Sequence, residues 1–195
     1  MARIKLTDDL KKAISGLSPA QKDKLLYRLI AGYPALAHKL IFELLEGGST
    51  QDERRGAVAS EIGSTLAEHE AHYHSPGILL LHLRDLSGII NRHVSTTRDK
   101  YGEVELNLLM LNETFERFSD RIRKVNYQRS RTFNEYVVKR ALKLLTLIGK
   151  MHEDIRLDFK TDLKKLGKHI ASQQTTMVVA KDLMLDINWL LNPAF

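Results

Sequence analysis

Residues 104–125 read VELNLLMLNETFERFSDRIRKV. Val104, Leu108, Leu111, Phe115, Phe118, Ile122 and Val125 recur at alternating steps of four and three for three heptads. That spacing puts them on one stripe of a helix, the seam it presents to another helix. Downstream, Val137, Ala141, Leu144, Ile148, Met151 and Ile155 repeat the pattern, and Phe159 follows. The two seams are out of phase. Continuing the first would carry Arg129, Thr132, Lys139 and Lys143 into the interior. The chain must therefore turn, kink or stutter near 126–131. An antiparallel hairpin with its tip there is the reading adopted, with a single bent helix as the alternative. Gly167 is expected to end the second arm, and a last helix is expected over 172–191, stopped by Asn192 and Pro193.

Working toward the N-terminus, the chain remains helical. Thr7 precedes Asp8 and Asp9, acids suited to a first helical turn. Ser18-Pro19-Ala20-Gln21 is a capping box with proline at the first helical position. Leu25, Leu26, Leu29 and Ile30 form the expected buried stripe of that helix; Leu36, Leu40, Ile41, Leu44 and Leu45 form that of the next, up to Gly47-Gly48. Thr50-Gln51-Asp52-Glu53 reads as a second capping box. It opens a longer helix with Val58, Ile62, Leu66, His69 and Tyr73 on one face. Ser75-Pro76-Gly77 breaks it. Leu79, Leu83, Leu86 and Ile90 mark another helix, with 95–102 expected as its exit loop.

No segment alternates with the period of a strand. The fold class is all-α: a short three-helix head over 1–48, joined at Gly47-Gly48 to a bundle of longer helices over 49–195 with a coiled-coil-like antiparallel hairpin. Helices as short as those of the head bury too little to be stable alone, so the head is expected to dock on the bundle.

Composition narrows the function. The 195 residues are 43% hydrophobic and 28% charged, which excludes a disordered tail. Without cysteine there is no disulfide scaffold, thiolate metal site or cysteine nucleophile. Neither a phosphate-loop glycine motif nor a Gly-x-Ser-x-Gly nucleophile turn is present. The first twenty residues lack the apolar core of a signal peptide, and no apolar run approaches about 18 residues. The expected location is cytoplasmic, away from the membrane.

The net charge of +6 is uneven. Residues 117–143 hold nine bases against Asp120 and Glu135. Arg117, Arg121, Arg123, Lys124, Arg129 and Arg131 surround the expected hairpin tip and are the candidate polyanion-binding set; a merely solvated basic face is the plainer reading. Tyr127 is the aromatic that could stack on a base there. Residues 18–46 resemble helix-turn-helix only superficially: the second helix opens Pro34-Ala35-Leu36-Ala37-His38, with few groups to reach base edges.

Five of the eight histidines fall between His69 and His93. His69 and His82 flank the break at 75–77 at similar depth on neighbouring helices. With His72 and Asp85 they form the candidate ligand set for one divalent transition metal. Core histidines hydrogen-bonded to backbone are the plainer reading. Among acids, Glu113, Glu116 and Asp120 have no second acidic pair downstream to complete a metal site, and Asp154, Asp158 and Asp162 interleave with lysines.

The sequence thus points to a binding protein without catalytic machinery or cofactor. Its expected partner is a nucleic acid or an acidic protein held at the basic segment. The alternative is a metal-dependent helical-bundle enzyme at 69–85. If the seam of 104–125 finds no partner within the chain, it calls for a homodimer.

Overall fold

The computed structural model describes residues 4–193. It contains eleven α-helices and no strand among the described residues. The chain divides into two compact units, the first ending at Gly48 and the second beginning at Ser49.

The first unit holds α1 (Asp8–Ser15), α2 (Pro19–Ala31), α3 (Pro34–Leu40) and a π-helical turn (Ile41–Leu45). Its starts follow the local chemistry. Thr7 Oγ1 accepts from Leu10 N–H at 3.4 Å. Both arms of the Ser18/Gln21 box form, at 3.3 and 2.9 Å. Gly47 and Gly48 close the unit at φ of 59° and 76°, backbone that side chains other than glycine rarely adopt. The expected buried stripes do not form: Leu26, Leu29, Leu36, Ile41, Leu44 and Leu45 are exposed, and Phe42 is the buried apolar side chain. A helix of seven to thirteen residues contacts too few others here to cover such a face.

The second unit holds α4 (Gln51–Ala71), α5 (Pro76–Thr97), α6 (Lys100–Arg123), α7 (Tyr127–Ile148), α8 (Glu153–Asp158), α9 (Lys160–Ala171), α10 (Gln174–Asp182) and α11 (Ile187–Leu191). The helix of the opening stretch, α6, lies at its centre, packed against α4, α5, α7 and α9. Accordingly its buried residues extend well beyond the seam to Leu106, Asn107, Met110, Asn112 and Thr114. A helix with neighbours on four sides buries more than the single stripe of a two-helix seam. Phe115 and Phe118 are fully buried within the chain, so the seam has its partner there.

Several local expectations are corrected. Thr50 makes no cap hydrogen bond from its side chain, which accepts from Arg54 Nε instead. The exit loop of 95–102 shrinks to two residues. Arg98 takes the left-handed conformation at φ 60° after α5, and Asp99 caps α6 by accepting from Gly102 N–H at 2.8 Å. The hairpin turn is 124–126, where Asn126 Oδ1 accepts from Arg129 N–H at 3.0 Å and starts α7. The second arm stops at Ile148 rather than running on to Gly167, because Gly149 ends it and His152 caps a new helix. Gly167 ends nothing: it lies inside α9, where a Cβ would meet Leu190 Cβ at 3.0 Å. The helix expected over 172–191 is broken into α10 and α11 around Met184, at φ 54°.

Candidate functional site

The turn at 124–126 places Arg121, Arg123, Lys124, Arg129 and Arg131 on the surface at one end of the bundle. They are not equivalent. Arg117 is tied to Glu113 and to Glu70 of α4, at 2.9 and 3.0 Å. Those carboxylates hold its guanidinium above the usual arginine range. Arg121 donates to the Glu70 backbone carbonyl, one of the open acceptors at the end of α4, and lies over the Tyr73 ring. These two arginines staple α4 to α6. Arg123 pairs with Asp120 at 3.5 Å and Arg131 with Glu135 at 2.8 Å, both within one helix. Among the described residues, Lys124 and Arg129 have no ion pair. Tyr127 is half-buried and packs against the core.

The histidine set meets only in part. The His69 and His82 rings are brought together, stacked with centroids 3.3 Å apart and planes 18° apart. Ring nitrogens carry their lone pairs in the ring plane, so stacked imidazoles aim them along parallel planes rather than at one point. His72 is exposed, with Nδ1 3.2 Å from the Glu68 carbonyl oxygen, and Asp85 is exposed on α5. Among the described residues, no three His, Cys, Asp or Glu side chains have the placement of a metal site. Burial and the neighbouring His82 hold the His69 imidazole below its ordinary pKa.

At the other end of α4 and α6 lies a buried charged network that the spacing of the sequence does not announce. Arg55 Nε donates to Asp99 Oδ2 at 2.8 Å, and its other nitrogens reach Asp52 at 2.6 Å and Glu105 at 3.2 Å. His93 Nε2 is 3.2 Å from the same Asp99 oxygen. Burial alone would raise the Asp99 pKa. The hydrogen bonds from Gly102 N–H, His93 and Arg55 outweigh it and hold the carboxyl below its ordinary value. Gly102 is required here: a Cβ would stand 2.2 Å from Asp99 Oδ2 and 3.0 Å from Arg55 Nε.

Beside this network α6 forms the floor of a groove of about 420 Å³ walled by α4 and α9. That volume is in the range of small-molecule sites.

Compared with family models, curated proteins and solved structures, the chain matches none. Among the described residues, no helix is long and apolar enough to cross a membrane.

Proposed function

We propose that this is a non-catalytic binding protein whose hairpin tip contacts the phosphate backbone of a nucleic acid. The observation that carries the reading is the exposure of Arg123, Lys124, Arg129 and Arg131 around one three-residue turn, with Lys124 and Arg129 spent on no ion pair among the described residues. The N-terminus of α7 adds its partial positive charge there. Arginine forks match phosphate oxygens better than ammonium groups do. With Tyr127 half-buried, the reading rests on phosphate and charge, so single strands and duplexes of equal length are expected to bind alike.

The test is fluorescence anisotropy with a labelled 20-nucleotide strand and its duplex at low salt. Lys124→Glu with Arg129→Glu is expected to weaken both at least tenfold without lowering the melting temperature. Binding that survives the reversal, or no binding by the unaltered protein, would overturn the reading. Arg117 and Arg121 are avoided in this test because they hold α4 on α6.

A further inference from the structure

We infer that the leucine face of α3 and its π-helical turn pairs with the same face of a second copy of this chain. Leu36, Ala37, Leu40, Ile41, Leu44 and Leu45 follow at alternating steps of one and three, which lays them on one broad face of the helix. In a folded domain such a face is covered. Here Leu44 is 74% exposed and Leu45 80%, and Leu36 and Ile41 are each 41% exposed. The neighbouring helix α2, which packs on α3, adds Leu26 and Leu29, and Tyr33 lies between the two helices; all three are exposed.

The area fits a subunit interface. At their observed exposures these side chains leave roughly 750 Å² open, above the ~300–600 Å² of the largest apolar patch on an ordinary monomer and close to the ~800 Å² that each partner gives to a standard interface. What covers this face must be equally apolar. The bundle's own exposed large hydrophobic side chains are Ile78 and Leu81 of α5, Ile155 and Leu157 of α8, Val178 of α10 and Met184, at most two on any helix among the described residues. The seam of α6 is filled within its own chain. The matching surface is the leucine face itself, and a surface that pairs with itself gives a closed twofold dimer.

Charge selects the orientation. Lys39 and Glu43 stand four residues apart on one flank of the leucine face, 3.8 Å from each other, with side chains 32% and 40% exposed. In an antiparallel pair of helices each flank meets the same flank of the other helix, running the opposite way. A twofold axis near Ile41 therefore sets Lys39 of each copy opposite Glu43 of the other, twice per dimer. Glu43 and Glu46, beside Leu44 and Leu45, oppose an anionic lipid surface in the same place.

Sedimentation equilibrium of the full chain without nucleic acid, from about 1 to 100 μM, tests the inference independently of the basic hairpin tip. Twice the 22.3 kDa chain mass is expected at the upper concentrations. Leu44→Ser with Leu45→Ser is expected to weaken the dimer at least a hundredfold. Lys39→Glu alone and Glu43→Lys alone each put like charges across the axis and should each weaken it about tenfold. An equimolar mixture of those two variants should dimerise at least as tightly as the unaltered chain. Loss of the pair within one helix is not mended by mixing, so recovery reports contact between copies. A monomer at 100 μM, a dimer untouched by the serine variant, or no recovery on mixing would overturn the inference. So would partition of the monomer onto phosphatidylcholine vesicles, which would make the leucine face a membrane surface.

Discussion

Replacing Arg55 by methionine keeps an unbranched apolar stem and removes the charge that faces Asp99. The Asp99 side chain is 1% exposed and that of Arg55 20%. Deleting one partner of a buried pair costs about 3–5 kcal/mol, because the other charge is stranded. Asp99 keeps Gly102 N–H at 2.8 Å and His93 at 3.2 Å, which places the loss at the low end. The more exposed links to Asp52 and Glu105 add less than about 1 kcal/mol, and the guanidinium over the Tyr101 ring about 0.5 kcal/mol. The expected total is about 4 kcal/mol. With a urea slope of about 2 kcal/mol/M, the unfolding midpoint falls by about 2 M. Adding Asp99→Asn to Arg55→Met removes the stranded charge and keeps an acceptor for Gly102, so the double variant should be more stable than Arg55→Met alone. The sign with pH follows from the depressed Asp99 pKa. The network's stability is present above the ordinary carboxylate value near 4 and is lost as pH falls through the lower folded value. Urea titrations of the four proteins at pH 7 measure the coupling. A loss under about 1 kcal/mol, or strictly additive single and double variants, would refute the account of a buried, mutually dependent pair.

Gly167→Ala gains helix propensity but drives a Cβ against Leu190 Cβ at 3.0 Å and the Leu191 nitrogen at 3.2 Å. A net loss of about 1–2 kcal/mol is expected in urea, whereas Gly63→Ala, which meets nothing within 4 Å, should gain about 0.5–1 kcal/mol. Phe118→Ala, at a fully buried ring 5.6 Å from Tyr73, should cost about 3–5 kcal/mol; calorimetry showing less than about 1 kcal/mol would contradict the central place of α6. Burial holds both His69 and His169 below the ordinary histidine pKa, so the unfolded chain takes up protons first as pH falls. Melting temperature should therefore drop from pH 7.5 to 5.5, and His69→Gln with His169→Gln should flatten that slope.

How far the sequence carried these conclusions depends on whether the deciding contact is local. Thr7, Ser18, Pro34 and Pro76 start their helices with groups a few residues away, and all four starts lie where spacing put them. The out-of-phase seams located the hairpin, yet its turn was set slightly too late. The stop is a side-chain cap by Asn126, an asparagine three residues before the amide it accepts from, with no glycine or proline to mark it. Beyond Gly149, the apolar spacing continued across a real helix end, and Gly167 looked like a terminator. Its actual role, the close approach of α11, involves a residue more than twenty positions away.

The sites divide in the same way. Equal depth of His69 and His82 was readable from helical rise, and their rings do meet. That they meet face to face depends on the rotation of α4 against α5, which no spacing encodes. Six bases around the tip were readable as one patch. The assignment of Arg117 and Arg121 to the end of α4 required the tertiary fold, since Glu70 lies about fifty residues away. The groove was hidden for the same reason: its acids come from three helices that become neighbours only around α6.

The salt dependence of nucleic-acid binding tests the central claim most directly. If Arg123, Lys124, Arg129 and Arg131 neutralise four phosphates, log affinity for a 20-base-pair duplex should fall against log salt with a slope of about −3 to −4. With Lys124 and Arg129 reversed to glutamate, what binding remains should show a slope of about −2 or shallower. A slope that is the same in both proteins, or no measurable complex at the lowest salt, would contradict a phosphate-binding hairpin tip.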